Sequence, residues 1–541
     1  MESRMTNPCL TLESVSYVLP DGRTLFSDLN ETFDQRRTGL VGRNGVGKSL
    51  LARLLAGQLP PSSGRCLRSG TVHYLAQQVD HQADTTVAGL AGMQRVLDAL
   101  ARIEAGSSDP ADFDALGDRW DIGQQLQSAL TQHGLGHLDV DTPATRLSGG
   151  EAMRVALMGA WLSDADFLIL DEPSNHLDRP NRQALIEQLQ HWSRGLLVVS
   201  HDRQLLETMS RIVELSSLGL RSYGGNYTFY AAAKALEREH ALQQLEQRKL
   251  ERTREDQAMR DQRDRMARRE ARGNRQGKEA NQAKILLGRQ KQRSEGSLGK
   301  LRQQQASARQ LLDQQVREAA QQLQADAEIN VHALPVAQVA QRRVVELQAL
   351  VLPCVQERTR LIDLSLSGQQ RVGVVGPNGC GKSTLLKVMA GQIEPLAGVC
   401  KVVADAVYLD QRLANLHPEK TVLEQIQAAN RTAAEGDLRM RLAQLDLDAQ
   451  KITAPSGSLS GGERLKAALA CVLYADPPAQ LLLLDEPSNH LDLPSAQALE
   501  TMLRSYQGAL VVVSHDDAFL NNLGLTHRLL ATEQGWRLES W

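Results

Sequence analysis

The chain has 541 residues, 42% hydrophobic and 23% charged, with a formal net charge of −3. That length exceeds the roughly 250–300 residues at which one core stops growing, so several domains are expected. Six scattered cysteines without a Cys-x-x-Cys pair argue against a disulfide frame or a zinc site. No basic-then-apolar leader opens the chain, and no apolar run approaches the ~20 residues of a membrane span. A cytoplasmic location without a membrane partner is therefore expected.

In chain order, a short apolar strand (Gly39 to Val41) runs into Gly42-Arg43-Asn44-Gly45-Val46-Gly47-Lys48-Ser49, and a helical pattern begins at Leu50. This is the strand–loop–helix setting of a phosphate loop: glycines let backbone N–H groups wrap phosphates, and the helix N-terminus adds its dipole. Gln77 follows a second apolar strand, Val72 to Leu75. Leu147-Ser148-Gly149-Gly150-Glu151 reads as a capped helix start that permits close backbone approach. Phe167 to Leu170 is apolar and delivers Asp171 and Glu172 at its end, one acid suited to Mg²⁺ and the other to water. Leu196 to Val199 likewise delivers His201.

From about Ala231 to Ile329 the composition changes. This stretch has no proline or aromatic residue and is rich in Gln, Arg, Glu, Ala and Leu, as long helices are. Leu242, Leu245, Met259 and Met266, then Leu298, Leu301, Ala308, Leu312, Val316, Ala319 and Leu323, suggest the seam of a helical hairpin. Glycines between Gly273 and Gly299 mark its turn. Residues 260–302 hold fourteen Lys/Arg against five Asp/Glu, so this tip is about +9 and the remainder about −12. A basic tip around the apolar Ile285-Leu286-Leu287, on an acidic body, suggests a polyanion partner. Without aromatics, phosphate contacts and recognition of folded RNA by shape fit better than base stacking.

Every motif then recurs. Gly376-Pro377-Asn378-Gly379-Cys380-Gly381-Lys382-Ser383 precedes a helix from Thr384, and Gln411, Ser460-Gly461-Gly462, Asp485-Glu486 and His515 follow. The phosphate loops and glutamines are offset by 334 residues, the Leu-Ser-Gly-Gly-Glu runs by 312, and the acid and histidine runs by 314. The first copy therefore carries about 22 additional residues within 78–146. Leu170 to Asp178 is repeated letter for letter at Leu484 to Asp492.

These residues resemble the nucleotide-binding cassettes of ABC ATPases, and the Ser-Asn-His-Leu-Asp ending narrows the resemblance to the ABC-F subfamily. The fold this implies is α/β: two P-loop domains, 1–230 and 336–541, joined by a long helical hairpin, 231–335. The insertion within 78–146 sits where that family carries its arm, here short. ATP and Mg²⁺ are the implied cofactors. The resemblance assigns nucleotide binding to the two phosphate loops, to Leu50 and Thr384 behind them, to Gln77 and Gln411, and to the Ser148 and Ser460 runs. It assigns metal binding to Ser49, Ser383, Asp171, Asp485 and the two glutamines, and catalysis to Glu172, Glu486, His201 and His515. Lys48 and Glu172 would work with Ser460, Lys382 and Glu486 with Ser148, and Asp178 and Asp492 along the same interface. Tyr17 can stack on adenine, whereas Leu350 to Leu352 offers no aromatic, so the two sites are expected to be unequal. The family places the linker on the ribosome, against large-subunit rRNA and toward tRNA, in translation control or antibiotic resistance. A monomer whose two cassettes pair with each other is expected. A DNA-directed ATPase and, behind it, a transporter's ATPase subunit are the alternatives.

Overall fold

A computed structural model of the chain describes residues 8–77, 85–175, 177–279, 303, 306–307, 309–317, 343–355, 357–403, 405–410, 413, 415–445, 447–489 and 491–541. The expectations for Gln411, for Ile285 to Leu287, and for Leu298, Leu301, Ala308, Ala319 and Leu323 lie outside the described residues. Met1–Tyr230 and Glu328–Trp541 form one compact unit and Ala231–Ala327 another.

Each half of the first unit is built alike. In the first half β1 (Cys9–Val18), β2 (Thr24–Phe33), β3 (Arg37–Val41), β4 (Ser63–Ser69), β5 (Val72–Leu75), β6 (Phe167–Asp171), β7 (Gly195–Val199), β8 (Arg211–Ser216) and β9 (Gly219–Gly224) form two sheets. Their orders are β2-β1-β4 and β5-β6-β7-β3-β8-β9. The second half follows with β10 (Arg343–Val351), β11 (Leu361–Ser367), β12 (Arg371–Val375), β13 (Ala397–Val402), β14 (Ala406–Leu409), β15 (Leu481–Asp485), β16 (Ala509–Val513), β17 (His527–Thr532) and β18 (Gly535–Ser540). Their orders, β11-β10-β13 and β14-β15-β16-β12-β17-β18, repeat the first half.

The sheet explains where the motifs meet. β6, β7 and β3 are adjacent and parallel, with Asp171 opposite Val199 and Val199 opposite Leu40. Phosphate loop, acid pair and histidine therefore leave neighbouring strands at the same carboxyl edge, where open α/β sheets bind ligands. All residues of β6, β7, β15 and β16 are buried, so these strands are fixed by apolar contact on both faces. Each buried Leu or Val there contributes about 1.5–3 kcal/mol.

Both phosphate-loop helices start two residues earlier than the apolar pattern suggests, at Lys48 and Lys382. Gly47 and Gly381 cap them at φ 104° and 98°. Only glycine enters that left-handed conformation freely, so the turn places the lysine in the helix's first turn. The insertion in the first half includes two helices, Gln94–Glu104 and Pro110–Leu116, joined by an Arg102–Asp112 ion pair at 2.7 Å.

The helix Tyr227–Glu279, 53 residues long, supplies residues 231–279 of the second unit. Arg252 pairs with Asp313 at 3.1 Å and Arg309 with Asp256 at 3.8 Å, an antiparallel register. Leu245, Met259, Met266, Leu312 and Val316 are half-buried, as a seam requires. Leu242 is 43% exposed and does not belong to it. The seven-residue steps from Leu245 to Met266 carry Ala241, rather than Leu242, onto the covered face. Among the described residues no helix is long and apolar enough to cross a membrane.

Candidate functional site

The two phosphate loops reach the opposite half by a reciprocal pair of carboxylates. Asp492 Oδ2 accepts the Asn44 N–H at 2.8 Å, and Asp178 Oδ2 accepts the Asn378 N–H at 3.2 Å. Each aspartate's other oxygen caps its own helix, Oδ1 of Asp492 accepting Ser495 N–H and Oδ1 of Asp178 accepting Asn181 N–H. Burial alone would raise both carboxyls, but these N–H donors outweigh it and hold them below the usual range. The two halves are thus latched head to tail.

The latch closes a cavity of about 540 Å³. Ser148, Gly149 and Gly150 of the first half line it together with Asn378, Gly379, Gly381, Lys382, Ser383, Thr384, Glu486 and His515 of the second. Glu172 and His201 also line it. Ser148 and Ser460 both form full capping boxes: Ser148 Oγ accepts Glu151 N–H at 3.3 Å while Glu151 Oε2 accepts Ser148 N–H at 2.8 Å. The glutamate ending Leu-Ser-Gly-Gly-Glu therefore holds the helix start that presents the glycines.

Within each half the groups converge. Lys48 Nζ donates to the Gly42 and Arg43 carbonyls at 2.8 and 3.1 Å, and Lys382 Nζ to those of Gly376 and Pro377 at 2.9 Å each. Ser383 Oγ donates to Asp485 Oδ1 at 3.0 Å, and Ser49 lies beside Asp171. His201 Nε2 lies 3.5 Å from Glu172 Oε1, and His515 Nε2 lies 3.4 Å from Glu486 Oε1. Both glutamates adopt φ 50°, a left-handed backbone uncommon outside glycine, where their N–H groups bond the ends of β7 and β16. Leu50 is half-buried in the first turn of its helix, Tyr17 packs 6.2 Å from Phe26, and Gln77 is half-buried two residues past β5. No described contact joins Ser460 to Lys48; that side of the pairing is carried by Asp492 on Asn44.

Burial sets the electrostatics. It raises Glu486 to about 7 and raises Glu172 as well, against the pull of Lys382 and Lys48. Burial, seconded by the same lysines, lowers His515 to about 4 and lowers His201 too. A carboxyl near neutrality beside a neutral imidazole is the pairing suited to general-base work near pH 7. Burial also raises Asp171 and lowers Lys48.

The donor set fits a magnesium nucleotide. Asp171 Oδ1 is buried without a hydrogen-bond partner beside Ser49 and Lys48, an oxygen that a cation would satisfy. One carboxylate and one hydroxyl would leave Mg²⁺ to draw its other ligands from phosphate and water. Gly47 and Gly381, at φ 104° and 98°, turn the backbone so that N–H groups at the helix starts can face an anion.

Several site residues carry no motif. Tyr74 and Tyr408 hydroxyls donate to Asp171 and Asp485 at 3.3 and 3.2 Å. They share the 334-residue offset, a signal that was there to be used. Arg182, Asp202, Arg203 and Glu500 fill the interface between the halves: Arg203 pairs with Glu500 at 2.7 Å and Arg182 with Asp202.

Comparison with known proteins agrees with this geometry. The ABC transporter family model matches residues 27–175 and 359–489. The tylosin resistance ATP-binding protein TlrC of Streptomyces fradiae is 32% identical over 538 residues, 92% of each chain. The energy-dependent translational throttle protein EttA of Mycobacterium tuberculosis is 33% identical over 90% of this chain and 84% of its own. The ribosome protection protein VmlR of Bacillus subtilis is 30% identical over 94% of this chain and 84% of its own. The archaeal ribosome recycling factor aABCE1, solved with stalk protein aP1, shares the fold at TM-score 0.56 and 18% identity, over 97% of this chain and 89% of that one.

Proposed function

The chain belongs to the ABC transporter family of ATPases, in its F branch of paired cassettes on one chain, and from that premise we propose that it is a ribosome-bound switch. It is an ATPase. The observation that carries the switch reading is the reciprocal latch, in which each half completes the other's phosphate loop. A latch of that kind makes closure of residues 1–230 on 336–541 depend on what the loops hold.

In the proposed mechanism Lys48 and Lys382 would bind phosphate oxygens, and Ser49 with Asp171 and Ser383 with Asp485 would hold the cation, with Gln77 and Gln411 completing the set. ATP with Mg²⁺ supplies the phosphoryl group and the charge that neutralises its oxygens. Glu172 and Glu486 take a proton from water at Oε1, and His201 and His515 steady those carboxylates through Nε2. Ser148 and Ser460, with their glycines, exclude water from the far side.

The partner reading rests on two supports. Relatives include a ribosome protection protein and a translational throttle. The linker helix carries exposed arginines, among them Arg265 and Arg268, in its basic segment. We assign that segment to large-subunit rRNA and neighbouring tRNA, and the chain to the cytoplasm as a monomer.

Sedimentation over ribosomes tests this. With ATP, the Glu172→Gln, Glu486→Gln double variant should lose at least about 100-fold in hydrolysis, co-sediment with ribosomes and repress translation. Neutralising Arg265 and Arg268 should flatten the salt dependence of that binding. Particles ignored in every nucleotide state would overturn the reading.

A further inference from the structure

The two switch histidines sit in different halves, yet one guanidinium lies between their loops. Arg182 Nη1 donates to the backbone carbonyl of His515 at 2.8 Å. Its Nη2 pairs with Asp202 Oδ1, the residue directly after His201. Both side chains are nearly sealed from water, at 8% and 4% exposure. Asp202 Oδ1 also accepts the Gln204 and Leu205 N–H groups, so the carboxylate is anchored to the helix that follows the first switch loop. On the other side, the His515 N–H donates to Glu486 Oε2 at 3.3 Å and its ring faces Glu486 Oε1. The carbonyl held by Arg182 therefore belongs to the same residue whose N–H and imidazole address the second site's glutamate.

We propose that Arg182 is a positioning residue that sets the His515–Glu486 geometry of the second site and ties it to the switch loop of the first. The duplication supplies the internal control. The position equivalent to Arg182, 314 residues on, is Ala496, a methyl group with nothing to donate. Among the described residues the link thus runs one way: the first half holds the second half's histidine, and no matching arm returns. A buried arginine with two partners in two loops is a rigid spacer, because its planar fork fixes both acceptors at once. Movement of either switch loop then strains the other.

This inference rests on the ATPase reading but not on ribosome binding, so the test uses the full chain without ribosomes. In Glu172→Gln protein, single-turnover hydrolysis at the second site is followed against ATP concentration. Adding Arg182→Met should lower the maximal rate about tenfold while the half-saturating concentration stays within about twofold. Arg182→Lys, which keeps the charge and reaches one acceptor, should recover part of the rate. It also reads the same split if the methionine variant fails to fold. Arg203→Met, which cuts a different pair across the same interface, should act through the half-saturating concentration instead. Hydrogen exchange on nucleotide-free protein adds a second reading. Arg182→Met should release protection at Ser200 to Arg203 and at Ser514 to Asp517 together. Equal losses of maximal rate in the Arg182→Met and Arg203→Met proteins, or release in one of the two segments alone, would overturn the assignment.

Discussion

The two halves keep the same chemistry and divide the interface between them. Loops, acid pairs and switch histidines recur with equivalent contacts, down to the tyrosines on Asp171 and Asp485. Between the halves the pattern is one of opposites. The first contributes Arg179, Arg182 and Arg203, and the second answers with Asp517, the His515 carbonyl and Glu500. At the equivalent positions the second half has Leu493, Ala496 and Asp517 in place of the arginines, and the first has Ile186 in place of Glu500. Two copies of the first half placed face to face would bury Arg203 against an isoleucine. That uncompensated charge is a device against pairing like with like.

Cutting the pair that enforces this complementarity should give the largest effect. Arg203 and Glu500 side chains are 10% and 9% exposed, and Asn522 Nδ2 donates to the other Glu500 oxygen at 3.0 Å. Arg203→Met should cost about 3 kcal/mol in denaturant unfolding, because Glu500 is left charged in a dry site. Arg203→Met with Glu500→Met should return most of it, since two apolar side chains replace two satisfied ions. A double variant as unstable as the single one would mean the pair is packing, not charge.

How much of this could be read from the letters follows from the same comparison. A motif present twice at one offset announces itself, which is why the loops, Asp171, Glu172, His201 and their partners could be named from sequence. Arg182 is hidden by that logic: its counterpart is alanine, so matching the copies discards it. Tyr74 and Tyr408 do share an offset, but a tyrosine within a strand suggests core before chemistry. The extra residues within 78–146 could be counted from offsets. That they include two helices held by Arg102 and Asp112 could not, because an ion pair ten residues apart leaves no periodic trace. Leu242 misled because four apolar residues admit more than one helical face, and only contact with a second helix chooses between them.

A smaller effect should separate the two nucleotide sites. Leu25 and Phe26 pack on Gly47, with Tyr17 behind Phe26, whereas Val355 packs on Gly381 and the equivalent of Tyr17 is Val351. An aromatic face beside the first loop offers adenine about 1 kcal/mol of stacking that an aliphatic one does not. Titrating a fluorescent ATP analogue into Lys382→Ala, which leaves the first site, should therefore give several-fold tighter binding than into Lys48→Ala. Equal residual affinities would remove the distinction.

The smallest effect concerns a place where one half is packed and the other is not. In the second half Tyr506, 4% exposed, donates its hydroxyl to the Ala479 carbonyl at 2.8 Å, among the fully buried Leu445 and Met502. The equivalent residues of the first half are Trp192, His133 and Gln188, and there they line an open cavity of about 400 Å³ with Trp161. Trp192 Nε1 reaches the Gly195 carbonyl at 3.3 Å from a half-buried position. Tyr506→Phe leaves a buried carbonyl without its donor and should cost about 1 kcal/mol. Trp192→Phe loses only a longer bond made from a half-buried ring, so its hydrogen-bond cost should fall below about 0.5 kcal/mol. Urea unfolding of the two variants reads the difference directly. If Trp192→Phe proves the costlier, the tryptophan is supporting its own half through packing on Trp161, 5.3 Å away.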